Sequence, residues 1–257
     1  MKEGQKLWTK DELTLAINLY CKLPFGKLHS RNEEIKKLAE IIGRTPSSIA
    51  LKLGNFASFD PTLKERGIKG ASNASKLDKQ VWDEFYNNWD AALIESERLL
   101  AKVQHTTIEK INNIDIKDLQ KEGLDKERLI KTRVNQSIFR TMILATYDNT
   151  CCMTGINNTE LLIASHIVPW SKDQKNRLNP TNGICLNALH DRAFDKWLIT
   201  ISAKDYTIKI SSKFKKKTIS KSIDYNFLKL EGRQINLPDK FLPAKEQLKI
   251  HNDFFIP

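Results

Sequence analysis

Five side chains between residues 166 and 195 have types and spacings that suit chemistry: His166, Asn182, His190, Asp191 and Asp195. An imidazole at its ordinary pKa of about 6.5 takes a proton from water near neutral pH, which makes His166 a candidate general base. Asp191 and Asp195 are four residues apart, so a helix would put both carboxylates on one face. Two carboxylates, with water completing the shell, suit Mg²⁺ or Mn²⁺. His190 lies about 100° round an ideal helix from Asp191 and offers an imidazole nitrogen, better matched to Zn²⁺ or Ni²⁺.

These side chains need elements to hold them. LLIASHIVPW is β-branched and apolar, which predicts a strand ended by Pro169. A polar loop follows over residues 171–181, then NGICLN as a second short strand, then ALHDRAFDKWL with helical periodicity. The order is strand, loop, strand, helix. His166 falls on the first strand, Asn182 at the end of the loop, and His190, Asp191 and Asp195 on the helix.

The stretches SHIVPW, RLNPTNGICLN and LHDRAFDKWLITI together resemble the HNH endonuclease family with its ββα-metal fold, and within it the subgroup found in restriction-type nucleases. The preceding RVNQSIFRTMILATYDNTCCMTGI resembles the usual lead-in. The resemblance implies metal-dependent hydrolysis of phosphodiester bonds in double-stranded DNA, with His166 activating the water. One divalent ion would polarise the phosphate and stabilise the leaving oxygen. It also implies that Asn182 orients the loop through backbone hydrogen bonds. In the family the third motif position lies about nine residues after the middle Asn, which favours Asp191 over His190 as the ligand. Many family members carry Asp or His directly before the base. Here that position is Ser165, a weak ligand, which shifts ligation towards Asp191, Asp195 and water. The implied setting is prokaryotic restriction or phage defence. One HNH site cuts one strand, so duplex cleavage calls for a homodimer or two successive nicks. Two other readings are a DNA-binding regulator with an idle HNH fold and an RNA-directed nuclease.

Upstream, residues 8–60 read as three helices. Thr9 with Glu12 has capping-box spacing, Pro24 and Gly26 end the first helix, and Ser30 or Asn32 caps the second. Gly43 closes the second helix, and Thr45-Pro46 opens the third. WTKDEL and GRTPSSIALKLGNF resemble Myb-like and related helix-turn-helix domains, which implies DNA contact from the third helix through Lys52 and Asn55. Residues 61–75 read as a linker, 76–103 as one amphipathic helix, and 104–124 as a second connection. A further helix over 125–147 carries Arg133, Gln136 and Arg140. The expected architecture is α+β: a helix-turn-helix-like region over 1–72, a helical linker over 73–124, and a ββα-metal nuclease domain over 125–257.

Composition agrees with a nucleic-acid partner. The net charge is +11, and residues 204–221 carry seven lysines against one aspartate. Lys213, Lys215, Lys216 and Lys217 are candidates to hold a phosphate backbone, with Arg133, Gln136 and Arg140 assisting. No apolar run is long enough for a bilayer, since residues 161–170 are interrupted by Ser165 and His166, and the N-terminus lacks a signal-peptide stretch. The expected location is the cytoplasm, where the four cysteines, none in CxxC spacing, remain reduced as small buried side chains.

Overall fold

The computed structural model describes residues 6–68, 70, 73–115, 123–215 and 220–257, and divides the chain into two compact units, Met1–Met142 and Ile143–Pro257. The first unit is helical: α1 (Lys10–Lys22), α2 (Glu33–Ile42), α3 (Pro46–Ala57), α4 (Pro61–Glu65), α5 (Lys76–Asn87), α6 (Trp89–Val103) and α7 (Ile108–Ile111), followed by most of α8 (Gly123–Thr146).

Local chemistry starts and stops these helices. The Thr9 hydroxyl accepts from the Glu12 amide, and the Glu12 carboxylate accepts from the Thr9 amide at 2.8 Å. Asn32 caps α2, and Gly43 ends it in the left-handed region at φ 64, where a side chain would be strained. Thr45 caps α3 with Pro46 at its first position. Arg44, in the turn between α2 and α3, forks onto Glu12 at 3.1 and 2.7 Å. Burial alone would raise the Glu12 carboxyl, but this fork and the Thr9 amide hold its pKa at about 2.

Within the stretch expected as a helical linker, α5 and α6 pack on α1 and contribute to this unit's core. Leu13, Ile17 and Tyr20 of α1 are fully buried, as is Leu93 of α6, with Trp82, Phe85 and Trp89 nearly so. The helix expected over 76–103 is two helices. Asn88, at φ −153 and ψ 73, breaks the run and caps α6 by accepting from the Ala91 amide.

The second unit holds β1 (Leu162–His166) and β2 (Gly183–Asn187), followed by α9 (Ala188–Asp195). The strands pair antiparallel, with Leu162 opposite Asn187 and His166 opposite Gly183. β2 is buried along its whole length, and α9 packs on both strands. A second hairpin, β3 (Ile199–Ile201) and β4 (Ile208–Ile210), follows, then α10 (Lys221–Asn226) and α11 (Lys245–Asp253). His251 of α11 stacks on Phe194 of α9 at 3.8 Å and hydrogen-bonds Thr200 at 2.7 Å. Burial holds its pKa at about 4. All four cysteines are buried and unbridged. Among the described residues no helix is long and apolar enough to cross a membrane.

Candidate active site

The hairpin places His166 at the last residue of β1, three residues short of the Pro169 expected to end it, and a long loop then returns to β2. The ring of His166 hydrogen-bonds through Nε2 to the Arg177 carbonyl at 2.9 Å. A carbonyl only accepts, so Nε2 carries the proton and Nδ1 is the basic nitrogen. Burial lowers the His166 pKa, outweighing the lift from that carbonyl, so the ring is neutral at pH 7. Trp170 meets the ring edge-on at 5.5 Å, and the Arg177 guanidinium lies 5.2 Å from the Trp170 ring.

Asn182 is fully buried and secures the loop with its side chain. Its Oδ1 accepts from the Val168 amide at 2.9 Å, while its Nδ2 donates to the carbonyls of Val168 at 3.2 Å and Asn176 at 3.1 Å. Every bond goes to backbone, so the side chain fixes where β1 and the loop part company, directly behind His166.

Across the hairpin, α9 begins at Asn187, whose Oδ1 accepts from the amides of Leu189 and His190, both at 3.1 Å. Asp191 is half-buried and Asp195 more exposed. Burial, with the Asp195 charge added, pushes the Asp191 carboxyl up, and burial likewise raises Asp195. Ser165 sits behind them. Its hydroxyl is buried with no hydrogen-bond partner in good geometry, yet lies near enough to Asp191 to pull that carboxyl partly back down. A divalent cation would relieve the carboxylates' desolvation and mutual repulsion, and its hydration shell would give the orphaned hydroxyl a partner. Among the described residues no three His, Cys, Asp or Glu side chains converge as a metal cluster. Asp191 and Asp195 offer two carboxylates, and a cation held there would fill the rest of its shell with water.

His190 is oriented otherwise. It is buried, its Nδ1 faces Asn187 Oδ1 at 3.0 Å, and its Nε2 donates to the Asn226 carbonyl at 2.8 Å. The Asn226 carbonyl fixes the proton on Nε2, so Nδ1 carries only a lone pair and is packed 3.0 Å from the Asn187 Oδ1 that caps α9, which leaves neither nitrogen open to an ion. The reason is long-range, since the acceptor lies in α10.

Residues 151–202 match the model of the HNH endonuclease family. A comparison with curated proteins gives no match. The HNH segment contains the whole hairpin, its loop and α9, so the family's span and the observed geometry coincide. Endonuclease domains of this kind act on nucleic acid and generally use a divalent metal.

The residues expected to touch DNA are placed unevenly. Lys52 and Asn55 are buried, and both bond the fully buried Asp78 of α5, Lys52 at 2.8 and 2.9 Å and Asn55 at 2.9 Å. This corrects the expectation of a DNA-facing pair. α5 covers that side of α3, which leaves Ser47 and Leu51 as its most exposed side chains. Arg133 and Gln136 are exposed on α8, and Arg140 is half-buried. Beyond the HNH segment, Lys213 is exposed and Lys215 pairs with Glu231 at 3.0 Å. Lys216 and Lys217 lie outside the described residues. Sequence reasoning missed Arg177, whose carbonyl orients the base, and Asn187, although Asn before a helical run is a capping signal.

Proposed function

We propose that this protein is a metal-dependent HNH DNA endonuclease, with restriction or phage defence as its setting. The observation that carries the reading is a half-buried, neutral imidazole at the end of β1, on the hairpin against which the helix of Asp191 packs, inside the segment that matches the family. His166 takes the proton of the attacking water at Nδ1, while its Nε2–H, held by the Arg177 carbonyl, keeps the ring aimed and stabilises the imidazolium that forms. Asn182 is a positioning residue that holds the loop. Asp191 and Asp195 would hold Mg²⁺ or Mn²⁺, which when bound would supply Lewis-acid stabilisation of the phosphate and the leaving oxygen. Lys213 and Lys215, with Arg133 and Gln136 on α8, contact the phosphate backbone. Double-strand cleavage then takes a homodimer or two successive nicks.

The test is nicking of supercoiled plasmid with Mg²⁺ or Mn²⁺. His166→Ala should lose at least about a hundredfold in rate. Asp191→Asn should lose metal-dependent cleavage and keep DNA binding. Equal rates in wild type and His166→Ala would remove the base assignment. An inactive HNH fold is the rival, favoured by the lack of a three-ligand cluster among the described residues, and no cleavage of any DNA by wild type would select it. Cleavage of RNA alone would select an RNA-directed enzyme.

A further inference from the structure

The second unit contains a cavity of about 690 Å³ that the nuclease chemistry does not use. It opens at the other end of the hairpin from His166, where Leu161, Asn187 and Leu189 meet α10 and the segment after it. Two kinds of side chain line it. Tyr225, Leu161, Leu189 and Ile156 are large apolar groups left 70%, 51%, 50% and 39% exposed, an apolar wall with one aromatic face. Lys229 and Arg233 bring two positive charges, and the lining includes no acidic side chain. The Lys229 ammonium lies 5.5 Å from the Tyr225 ring and only 3.9 Å from Asp224, a loose pair, while Arg233 has no ion-pair partner among the described residues. Asn236 adds an amide that can read a polar edge, and Gln234 adds its amide oxygen while its Nε2 donates to the Asp205 carbonyl at 3.0 Å.

A flat ring to cover, polar edges to bond and an anion to neutralise are the three parts of a nucleotide, and the volume lies in the range of small-ligand sites. We propose that this cavity takes one nucleotide of the substrate strand, its base against Tyr225 and Leu189 and its phosphate on Arg233 and Lys229. The inference rests on the nuclease reading for its ligand. β1 links the two places: Leu161 borders the cavity and His166 ends the strand, a span of roughly 16 Å at about 3.3 Å per residue. The bound nucleotide therefore lies a few positions from the cut, and the cavity is a specificity site, distinct from the catalytic one.

The experiment uses the full chain in EDTA, so that nothing is cleaved, and titrates the four deoxynucleoside 5′-monophosphates and inorganic phosphate by calorimetry. Arg233 and Tyr225 are exposed, so Arg233→Gln and Tyr225→Ala should keep the wild-type melting temperature. Each should weaken monophosphate binding by at least about tenfold, while His166→Ala binds as wild type. In Mg²⁺, Tyr225→Ala should also relax base preference a few positions from the cut in a cleavage-site map. Loss of monophosphate binding in Arg233→Gln supports the cavity even where wild type cuts no DNA, which would count against the nuclease reading alone. Wild-type affinity in both cavity variants, loss only in His166→Ala, equal affinity for inorganic phosphate and the nucleotides, or no binding of any nucleotide up to about 10 mM would each overturn the cavity site, whatever the nicking assay gives.

Discussion

Ser165 is the residue whose burial makes least sense as packing alone. A buried hydroxyl whose neighbouring acceptor, the Asp191 carboxyl, lies outside good hydrogen-bond geometry costs up to about 1–3 kcal/mol, so a site selected only for stability would carry Ala or Val there. On the proposed nuclease reading, its position beside His166 and its influence on the Asp191 carboxyl would let it offer an oxygen to the shell of a bound ion. Ser165→Ala should therefore melt at the same temperature or higher, yet need roughly tenfold more Mg²⁺ to reach half-maximal nicking. Thermal melts and a Mg²⁺ titration read the two effects separately. A variant that is less stable and nicks with unchanged Mg²⁺ dependence would make the hydroxyl structural. His166 and Asn182 stand out in the sequence because the motif spacing is local. The tie between His190 and Asn226 spans 36 residues and leaves no local trace, which is why an imidazole beside Asp191 reads as a possible ligand until its neighbours are known.

At the scale of elements, Asp78 joins two levels of structure. It completes the capping box of α5 with Ser75 and also receives Lys52 and Asn55 from α3. Removing either partner leaves the other charge buried and unpaired, so Asp78→Ala and Lys52→Met should each cost about 3–5 kcal/mol, whereas the double variant Asp78→Leu/Lys52→Met should stay within about 2 kcal/mol of wild type. Urea melts measure all three, and DNA affinity should be unchanged in the double variant. A large loss of affinity without loss of stability would return Lys52 to the DNA-facing role. The caps at Thr9, Gly43 and Thr45 were legible because each is read from neighbours within a turn. The cover that α5 lays over α3 was not, because amphipathic spacing tells which face is buried and not by what. A polar pair on α3 can face DNA or a buried carboxylate with the same pattern.

The second unit carries its own titrating element in the stack of His251 on Phe194. With the folded pKa at about 4 and the unfolded one near 6.5, the unfolded chain binds the proton first. Stability is then full above pH 6.5 and falls as the pH drops, losing about 3 kcal/mol by pH 4 from this group alone. His251→Asn should melt lower at pH 7 but show a shallower loss between pH 6.5 and 4. Parallel pH profiles for the two proteins would remove His251 as the source.

For the whole molecule, charge is the property that composition states most directly, and the net +11 predicts salt-sensitive binding without saying which lysines take part. The boundaries expected at 72 and 124 follow polar, Gly- and Ser-containing stretches, which mark where a chain can turn and not whether the next helix packs back, while the compact units divide at Met142. Individual side chains separate the contributors. Lys213 is exposed and has no ion pair among the described residues, so a phosphate contact there releases a full counterion. Lys215 is already half-neutralised by Glu231 and gains less by meeting a phosphate. For the chain bound to a duplex in EDTA, the slope of log Kd against log salt should fall by about 0.9 in Lys213→Ala and by clearly less in Lys215→Ala. Glu231→Gln should restore to Lys215 the contribution its partner suppresses, making the slope steeper than in wild type. An unchanged slope in Lys213→Ala would take this face off the DNA-binding surface.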